Sequence, residues 1–451
     1  MRRLTGFPYK HALVLGLAKS GEAAAKLLAQ SGIQVRVNDR DTKEEAEEVQ
    51  ALKELGVEII LGSHPVSVLE GIDVLIKNPG IPYEHPIVER ALENKIPVFT
   101  EVELAYHLAA PNPIIGITGS NGKTTTTMLT DHMLQEGEVP AKLAGNIGIV
   151  ASEVAQTLKD EERLLLELSS FQLLGTESFR PHIACILNLY DAHLDYHKTV
   201  ANYESAKAQI FQNQTEEDFL VYNADQEKVL RLIEGAKAQK VPFSTRQSLE
   251  KEGAWTDGDY LYFKDEKIIS LNEVALVGEH NVENMLAALA ISKLSQVPTE
   301  SIQAVLKTFS GVEHRLQFVT EVKGRRFYND SKATNILATQ MALQAFSQPV
   351  ILLAGGLDRQ EDFERLIPYL NDVKGMIIFG ETKEKLALVG EKAGIKEVHR
   401  VEDVIEATKL AFAISERGDT ILLSPACASW DQYKTFEERG YLFIDTVHTL
   451  A

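Results

Sequence analysis

Pro113-Ile-Ile-Gly-Ile-Thr-Gly-Ser-Asn-Gly-Lys-Thr-Thr-Thr-Thr127 is the stretch on which the fold turns. The apolar run Ile114–Ile117 predicts a buried strand. It enters a loop, Gly119-Ser120-Asn121-Gly122, and the loop meets Lys123-Thr124-Thr125 at the head of a helix predicted over 126–135. That order suits a nucleoside triphosphate. Glycines let backbone N–H groups close on phosphate oxygens, and a helix N-terminus adds partial positive charge. Lys123 reaches the terminal phosphates, and the Thr124 hydroxyl can sit on Mg²⁺. The spacing is not that of the common P-loop, because the residue five before Gly122 is Ile117. Glycine turns also join strands to helices where no ligand binds. Gly-Lys-Thr in strand–loop–helix order favours phosphate.

Strand and helix patterns alternate on both sides of this loop. Towards the N-terminus, 11–17, 34–39, 59–61 and 73–76 read as strands, with helices expected at 20–30 and 42–55. This describes a small open parallel sheet covered by helices. Two prolines in Ala109-Ala-Pro-Asn-Pro113 mark a linker. Downstream, 163–168 and 184–189 read as buried strands and 281–295 as a closing helix. Alternation over 255–276 around Asp257-Gly258 predicts an antiparallel excursion. Past a boundary at 311–315, strands are expected at 326–330, 350–356, 375–380 and 420–424, again separated by helical segments. The fold class expected is α/β in three domains: a Rossmann-like domain over 1–105, a central P-loop-type domain with a mainly parallel sheet over 106–311, and a Rossmann-like domain over 312–451.

A length of 451 residues accommodates about three domains. The net charge of −19, from 46 basic and 65 acidic side chains, argues against nonspecific binding to nucleic acid or anionic membrane. Cys185 and Cys427 lie in apolar surroundings outside any metal-binding pattern, as expected of buried thiols in a reducing compartment. No apolar signal core and no membrane-length apolar stretch appear, so a cytoplasmic location is expected.

Further polar residues fall at predicted strand ends, where ligands of parallel sheets bind. Gly16-Leu-Ala-Lys-Ser-Gly21 resembles a dinucleotide fingerprint with Ala18 at the middle glycine, and Asp39 ends the next strand. These residues suit a ribose or base contact, or only close packing at a first turn. Glu167 follows Leu164–Leu166 and fits a Mg²⁺ ligand, since that cation prefers oxygen; a solvated strand end is the alternative. His193 and Asp195 follow another strand and could meet metal or phosphate. Lys207, by pattern alone, is an ordinary lysine on the solvated face of a helix over 203–212. Asp330, Lys332 and Thr334 alternate, so in an extended segment they would share one face. Such a group could hold ribose, phosphate or an acidic substrate, or form a plain polar turn. A nicotinamide oxidoreductase would leave the second phosphate loop and Lys332 unexplained, and a P-loop switch would hydrolyse ATP without a cosubstrate.

Thr118–Thr125, Glu167, His193-Leu-Asp195, Gly278-Glu-His-Asn-Val-Glu-Asn284 and His314-Arg315 together resemble the Mur ligases, relatives of folylpolyglutamate synthetase. The resemblance runs in order along the whole chain. Glu167–Leu173, Asn329–Asn335, Leu423–Tyr433 and Phe436-Glu-Glu-Arg-Gly440 resemble the branch that adds D-glutamate. The resemblance implies that ATP phosphorylates the carboxylate of UDP-N-acetylmuramoyl-L-alanine and that the amine of D-glutamate then attacks the acyl phosphate. Sibling ligases add L-alanine, a diamino acid or a dipeptide.

It also implies roles by position. Gly119, Ser120, Asn121, Gly122, Lys123, Thr124 and Thr125 would cradle ATP, joined by Asn281, Asn284, His314, Arg315 and Asp330. Thr124 and Glu167 would hold one Mg²⁺, and His193 with Lys207 a second, Lys207 carrying a CO₂-derived carbamate. Lys123, Glu167, His193 and Lys207 form the implied catalytic set. Ser20, Asp39, Arg40, Asn78, Gly80, Asn146 and His193 would contact the UDP-sugar. Lys332, Thr334, Ser429 and Phe436 would take D-glutamate. The loop Gly355–Gln360 fits the same pattern, with Asp358 and Arg359 as its charged residues. The third domain is expected to swing in when ATP binds. A cytoplasmic monomer with no nucleic-acid or membrane partner is expected.

Overall fold

The computed structural model describes residues 1–190, 193–276, 278–346 and 348–450, apart from the side chains of Leu194, Asp195 and Glu279. Asp195, a candidate above, therefore has no described side chain. Among these residues the chain builds three sheets and divides into two compact units. One unit takes Met1–Val274 and Asn281–Lys307; the other takes Ala275–His280 and the residues from Thr308 on.

The first unit holds two sheets. The smaller is parallel throughout, in the spatial order Glu58–Leu61, Gln34–Asp39, His11–Leu15, Val74–Lys77, Val98–Phe99. Its strands His11–Leu15 and Val74–Lys77 are near-continuous apolar runs, as a sheet covered on both faces requires. Strand order reverses beside His11–Leu15, so the chain segments after His11–Leu15 and Val74–Lys77 flank the switch point where ligands bind. Glycines make the first turn possible. Gly16 has φ +88°, and a Cβ there would strike Ile81 Cδ1 at 2.9 Å and Asn78 Cβ at 3.0 Å. A Cβ on Gly21 would overlap the Gly16 carbonyl oxygen. The helix expected over 42–55 is shorter, Glu47–Glu54. Asp39 Oδ1 accepts the N–H groups of Asp41 and Thr42, both at 2.8 Å, and a further turn closed by the Ala46 N–H on the Lys43 carbonyl precedes the helix.

The larger sheet has nine strands, with Ile114–Thr118 between Ile183–Ile186 and Arg163–Glu167. These three pair in parallel, with Ile117 opposite both Glu167 and Cys185. The excursion read around Asp257-Gly258 is an antiparallel ribbon, Ala254–Thr256, Tyr260–Phe263 and Glu266–Ser270. The phosphate-loop helix begins earlier than expected, at Lys123, and runs to Glu136.

The second unit holds six strands, ordered Gln317–Val322, Arg325–Asn329, Thr420–Leu423, Val350–Gly355, Val373–Phe379, Glu397–Arg400. Only the first pair is antiparallel. The ends of Arg325–Asn329, Thr420–Leu423 and Val350–Gly355 lie side by side, which brings Asp330, Ser424 and Gly355 to one edge. No described helix is long and apolar enough to cross a membrane.

Candidate active site

The loop Gly119–Gly122 follows the strand Ile114–Thr118 and is braced by two asparagines. Gly122 caps the helix with φ +79°, and a Cβ there would overlap the Asn284 carboxamide. Asn284 accepts from Thr126 Oγ1 at 3.3 Å and donates to Asn281 Oδ1 at 2.9 Å, so Asn281 holds the asparagine that lies against the loop. Asn188 grips the other side. Its Oδ1 accepts the Asn121 N–H at 2.8 Å and its Nδ2 donates to the Asn121 carbonyl at 3.2 Å. Sequence reasoning missed this brace, although Asn188 stands at a strand end. Ser120 Oγ lies 2.8 Å from the Tyr203 hydroxyl. Thr124 and Thr125 occupy the first turn, half-buried.

Two lysines converge here. Lys123 Nζ donates to the carbonyls of Gly119 (2.8 Å) and Ser120 (3.0 Å). Lys207 Nζ donates to the same Gly119 carbonyl (2.9 Å) and to Thr118 Oγ1 (3.2 Å). Lys207 is only 1% exposed, so the solvated-face reading is wrong. On the helix Val200–Ala208, Tyr203 lies one turn before Lys207 on the same face and meets Ser120 of the same loop. Burial, then the nearby Lys123 charge, holds the Lys207 amine well below the usual lysine range.

Glu167 is also buried, at 1% exposure, which removes the solvated strand-end reading. Its Oε1 accepts from Asn146 Nδ2 at 3.1 Å, while Oε2 is buried without a hydrogen-bond partner. An ionisable oxygen left bare inside a protein calls for a cation or donor. His193 has φ +56°, a conformation uncommon for a side-chain-bearing residue, and its exposed ring packs 5.0 Å from Phe171. Among the described residues, no three His, Cys, Asp or Glu side chains gather as a ready metal site.

Beside Glu167 opens a cleft of about 490 Å³ in the first unit. Ser20, Asn78, Gly80, Asn146 and Phe171 line it. Asn78 Nδ2 donates to Ser20 Oγ at 3.2 Å, and its Oδ1 accepts the Gly80 N–H at 3.3 Å. Asp39 and Arg40 are not among the lining residues. Asp39 also accepts the Leu17 N–H at 2.7 Å. Burial would raise its carboxyl, but these backbone donors prevail and hold it low. Arg40 is exposed and pairs with Asp41 at 3.0 Å. Lys77, unnoticed in the sequence, is buried next to Asn78. Its Nζ donates to the Ile81 carbonyl (2.9 Å) and the Tyr196 hydroxyl (3.0 Å), and burial lowers it to about 7.

In the second unit, residues 330–334 turn instead of running extended. The Ala333 N–H bonds the Asp330 carbonyl and the Thr334 N–H that of Lys332. Asp330 is buried, Lys332 exposed and Thr334 half-buried, so they share no face. Asp330 accepts Ser424 Oγ–H at 2.8 Å and the Leu316 N–H at 3.1 Å; burial still raises its carboxyl to about 7. Lys332 Nζ lies 3.8 Å from the centre of the Phe436 ring. Ser429 Oγ is buried without a partner. His314, at φ +61°, is buried with Nδ1 2.8 Å from Asn329 Nδ2, and Arg315 beside it is exposed. Asp358 pairs with Lys385 at 2.7 Å, whereas the Arg359 guanidinium lies 4.9 Å from the exposed Trp430 ring.

Residues 10–100 match the MurD-like N-terminal domain of Mur ligases, 117–292 the Mur ligase middle domain, and 314–427 the Mur ligase glutamate ligase domain. The chain is a Mur ligase. This Mur ligase is 56% identical to a UDP-N-acetylmuramoylalanine–D-glutamate ligase of Oceanobacillus iheyensis over 100% of both chains. It is 55% identical to the Bacillus subtilis ligase of the same name over 98% of each. In fold it is similar to the Thermotoga maritima UDP-N-acetylmuramate–alanine ligase MurC, with TM-score 0.59, 19% identity and coverage of 98% of this Mur ligase and 100% of that chain. The Thermotoga maritima MurF ligase, solved with ADP, aligns with TM-score 0.57 and 17% identity over 100% and 99%.

Proposed function

We infer that this Mur ligase joins D-glutamate to UDP-N-acetylmuramoyl-L-alanine, using ATP, in peptidoglycan precursor synthesis. Identity of 56% across the full length of a ligase named for that reaction carries the reading. A carboxylate is a poor electrophile because its oxygen leaves badly. Transfer of the terminal phosphoryl group of ATP to it gives an acyl phosphate. The D-glutamate amine attacks the carbonyl carbon, and the tetrahedral intermediate expels phosphate. The protein contributes positioning and charge.

Gly119–Thr125 is assigned to the ATP phosphates, with Lys123 leaving its loop carbonyls for the terminal phosphate. Asn281, Asn284, His314, Arg315 and Asp330 are assigned to the nucleotide. The sugar nucleotide is given to the cleft with Ser20, Asn78, Gly80 and Asn146, together with Asp39, Arg40 and His193. D-glutamate is given to Lys332, Thr334, Ser429 and Phe436, which supply a cation and hydroxyls for a dicarboxylate.

Thr124, Glu167, His193 and Lys207 would hold Mg²⁺, and the bare Glu167 Oε2 supports this. Bound Mg²⁺ neutralises phosphate charge. The depressed Lys207 amine is the form that attacks CO₂: Nζ bonds the carbon, one proton leaves, and a donor becomes an anionic oxygen ligand. Electron density beyond Nζ would test that step. The activity is tested by phosphate release from ATP, Mg²⁺ and the UDP-sugar. Release should require D-glutamate; preference for L-alanine, a diamino acid or a dipeptide would sink the reading. A cytoplasmic monomer acting on small molecules is part of the same proposal.

A further inference from the structure

We propose that Arg439 is the positioning residue of the amino-acid site, a single buried guanidinium that sets three backbone segments against one another. The inference rests on the assignment of Lys332, Thr334, Ser429 and Phe436 to D-glutamate. Arg439 is 0% exposed. Its Nε donates to Ser331 Oγ at 3.0 Å. One terminal nitrogen donates to the carbonyls of Ser331 (2.9 Å) and Cys427 (3.1 Å), and the other to that of Gly355 (3.3 Å). The partners are three carbonyls and a hydroxyl, not a carboxylate. Burying a cation this way is costly, and a planar five-donor fork gains fixed geometry in return. Burial lowers it to about 10, so it stays charged at neutral pH.

Two of the held segments lead to groups of the proposed site. Ser331 precedes Lys332. Cys427 lies two residues before Ser429. Gly355 opens the loop that carries Asp358 and Arg359. The helix bearing Arg439 starts at Phe436, whose carbonyl accepts Ser331 Oγ–H at 2.7 Å and whose ring receives Lys332. Packing around the guanidinium is tight. A Cβ on Gly356 would overlap the Ala428 carbonyl oxygen and come within 3.2 Å of an Arg439 terminal nitrogen. Loss of the fork would therefore shift Lys332, Ser429 and Phe436 relative to one another while removing none of them.

The test is steady-state kinetics of Arg439→Lys and Arg439→Met. The KM for D-glutamate should rise about tenfold or more, with those for ATP and the sugar nucleotide within about twofold of wild type. Methylguanidinium should lower the D-glutamate KM of Arg439→Ala. An equal rise in all three KM values, or a fall in kcat with the D-glutamate KM unmoved, overturns the proposal. Ser331→Ala serves should the Arg439 variants not fold. It removes the Nε acceptor and should raise the D-glutamate KM about threefold, and an unmoved value there also overturns the proposal. Lys332→Ala separates the two levels. If it leaves the D-glutamate KM unaltered, the site assignment fails and the proposal with it. If it raises that KM while the Arg439 and Ser331 variants do not, the proposal alone fails.

Discussion

Lys123 and Lys207 share one acceptor, the Gly119 carbonyl, but are proposed to have different tasks. In the proposed assignment Lys123 carries the charge that meets the terminal phosphate. Lys123→Ala should lower kcat/KM by about 10²–10³-fold with the fold intact, read from phosphate release and circular dichroism. Two other buried groups make stability depend on pH with opposite signs. Lys77 falls from 10.5 to about 7 on folding, so between those values the unfolded chain binds the extra proton. Its contribution is complete above pH 10.5 and is lost as pH falls towards 7. Urea melts should show wild type gaining a few kcal/mol relative to Lys77→Met over that rise. Asp330 rises from 3.8 to about 7, so the folded chain holds the proton. Its contribution is complete below pH 3.8 and lost as pH climbs to about 7. Asp330→Asn should therefore be the more stable protein at pH 7 while binding ATP less tightly, checked by urea melts and calorimetric titration.

The strand–loop–helix element at 114–136 was legible because its glycines, lysine and apolar run act through local sterics. Gly122→Ala should show how closely the element is built. The new Cβ meets the Asn284 carboxamide at an unfavourable φ, so ATP affinity should collapse and stability fall by about 1–3 kcal/mol in a thermal melt. Gln34–Asp39 was readable to the residue, because its valines stand out against polar flanks. The helix at Glu47–Glu54 was overextended, since residues 43–46, helix-forming in composition, close a separate turn from the Ala46 N–H to the Lys43 carbonyl. Alternation at 330, 332 and 334 misled for a similar reason: strand periodicity says nothing once the backbone turns. Lys207 was illegible by pattern, because its partners Thr118 and Gly119 lie 89 and 88 positions away in sequence. Arg439 and Lys77 were missed as anchors because carbonyl cradles have no sequence signature.

At the scale of the molecule, three α/β sheets followed from alternating apolar runs, whereas the cleft of the first unit did not. That cleft joins segments as distant as Ser20 and Asn146, and only sheet topology brings them together. UDP-N-acetylmuramoyl-L-alanine at a hundredfold excess over its Kd should add about 2.7 kcal/mol of stability. Amide exchange should slow in 78–81 and 145–148, measured by mass spectrometry. The hydrogen bond from Asn146 to Glu167 carries a consequence for inhibitor chemistry. A compound that captures the Asn146 amide from within the cleft would untie the carboxylate proposed to hold Mg²⁺. Such a compound should betray itself first as a changed magnesium requirement, before any competition with ATP is seen, and an inhibitor screen run at limiting magnesium would find it.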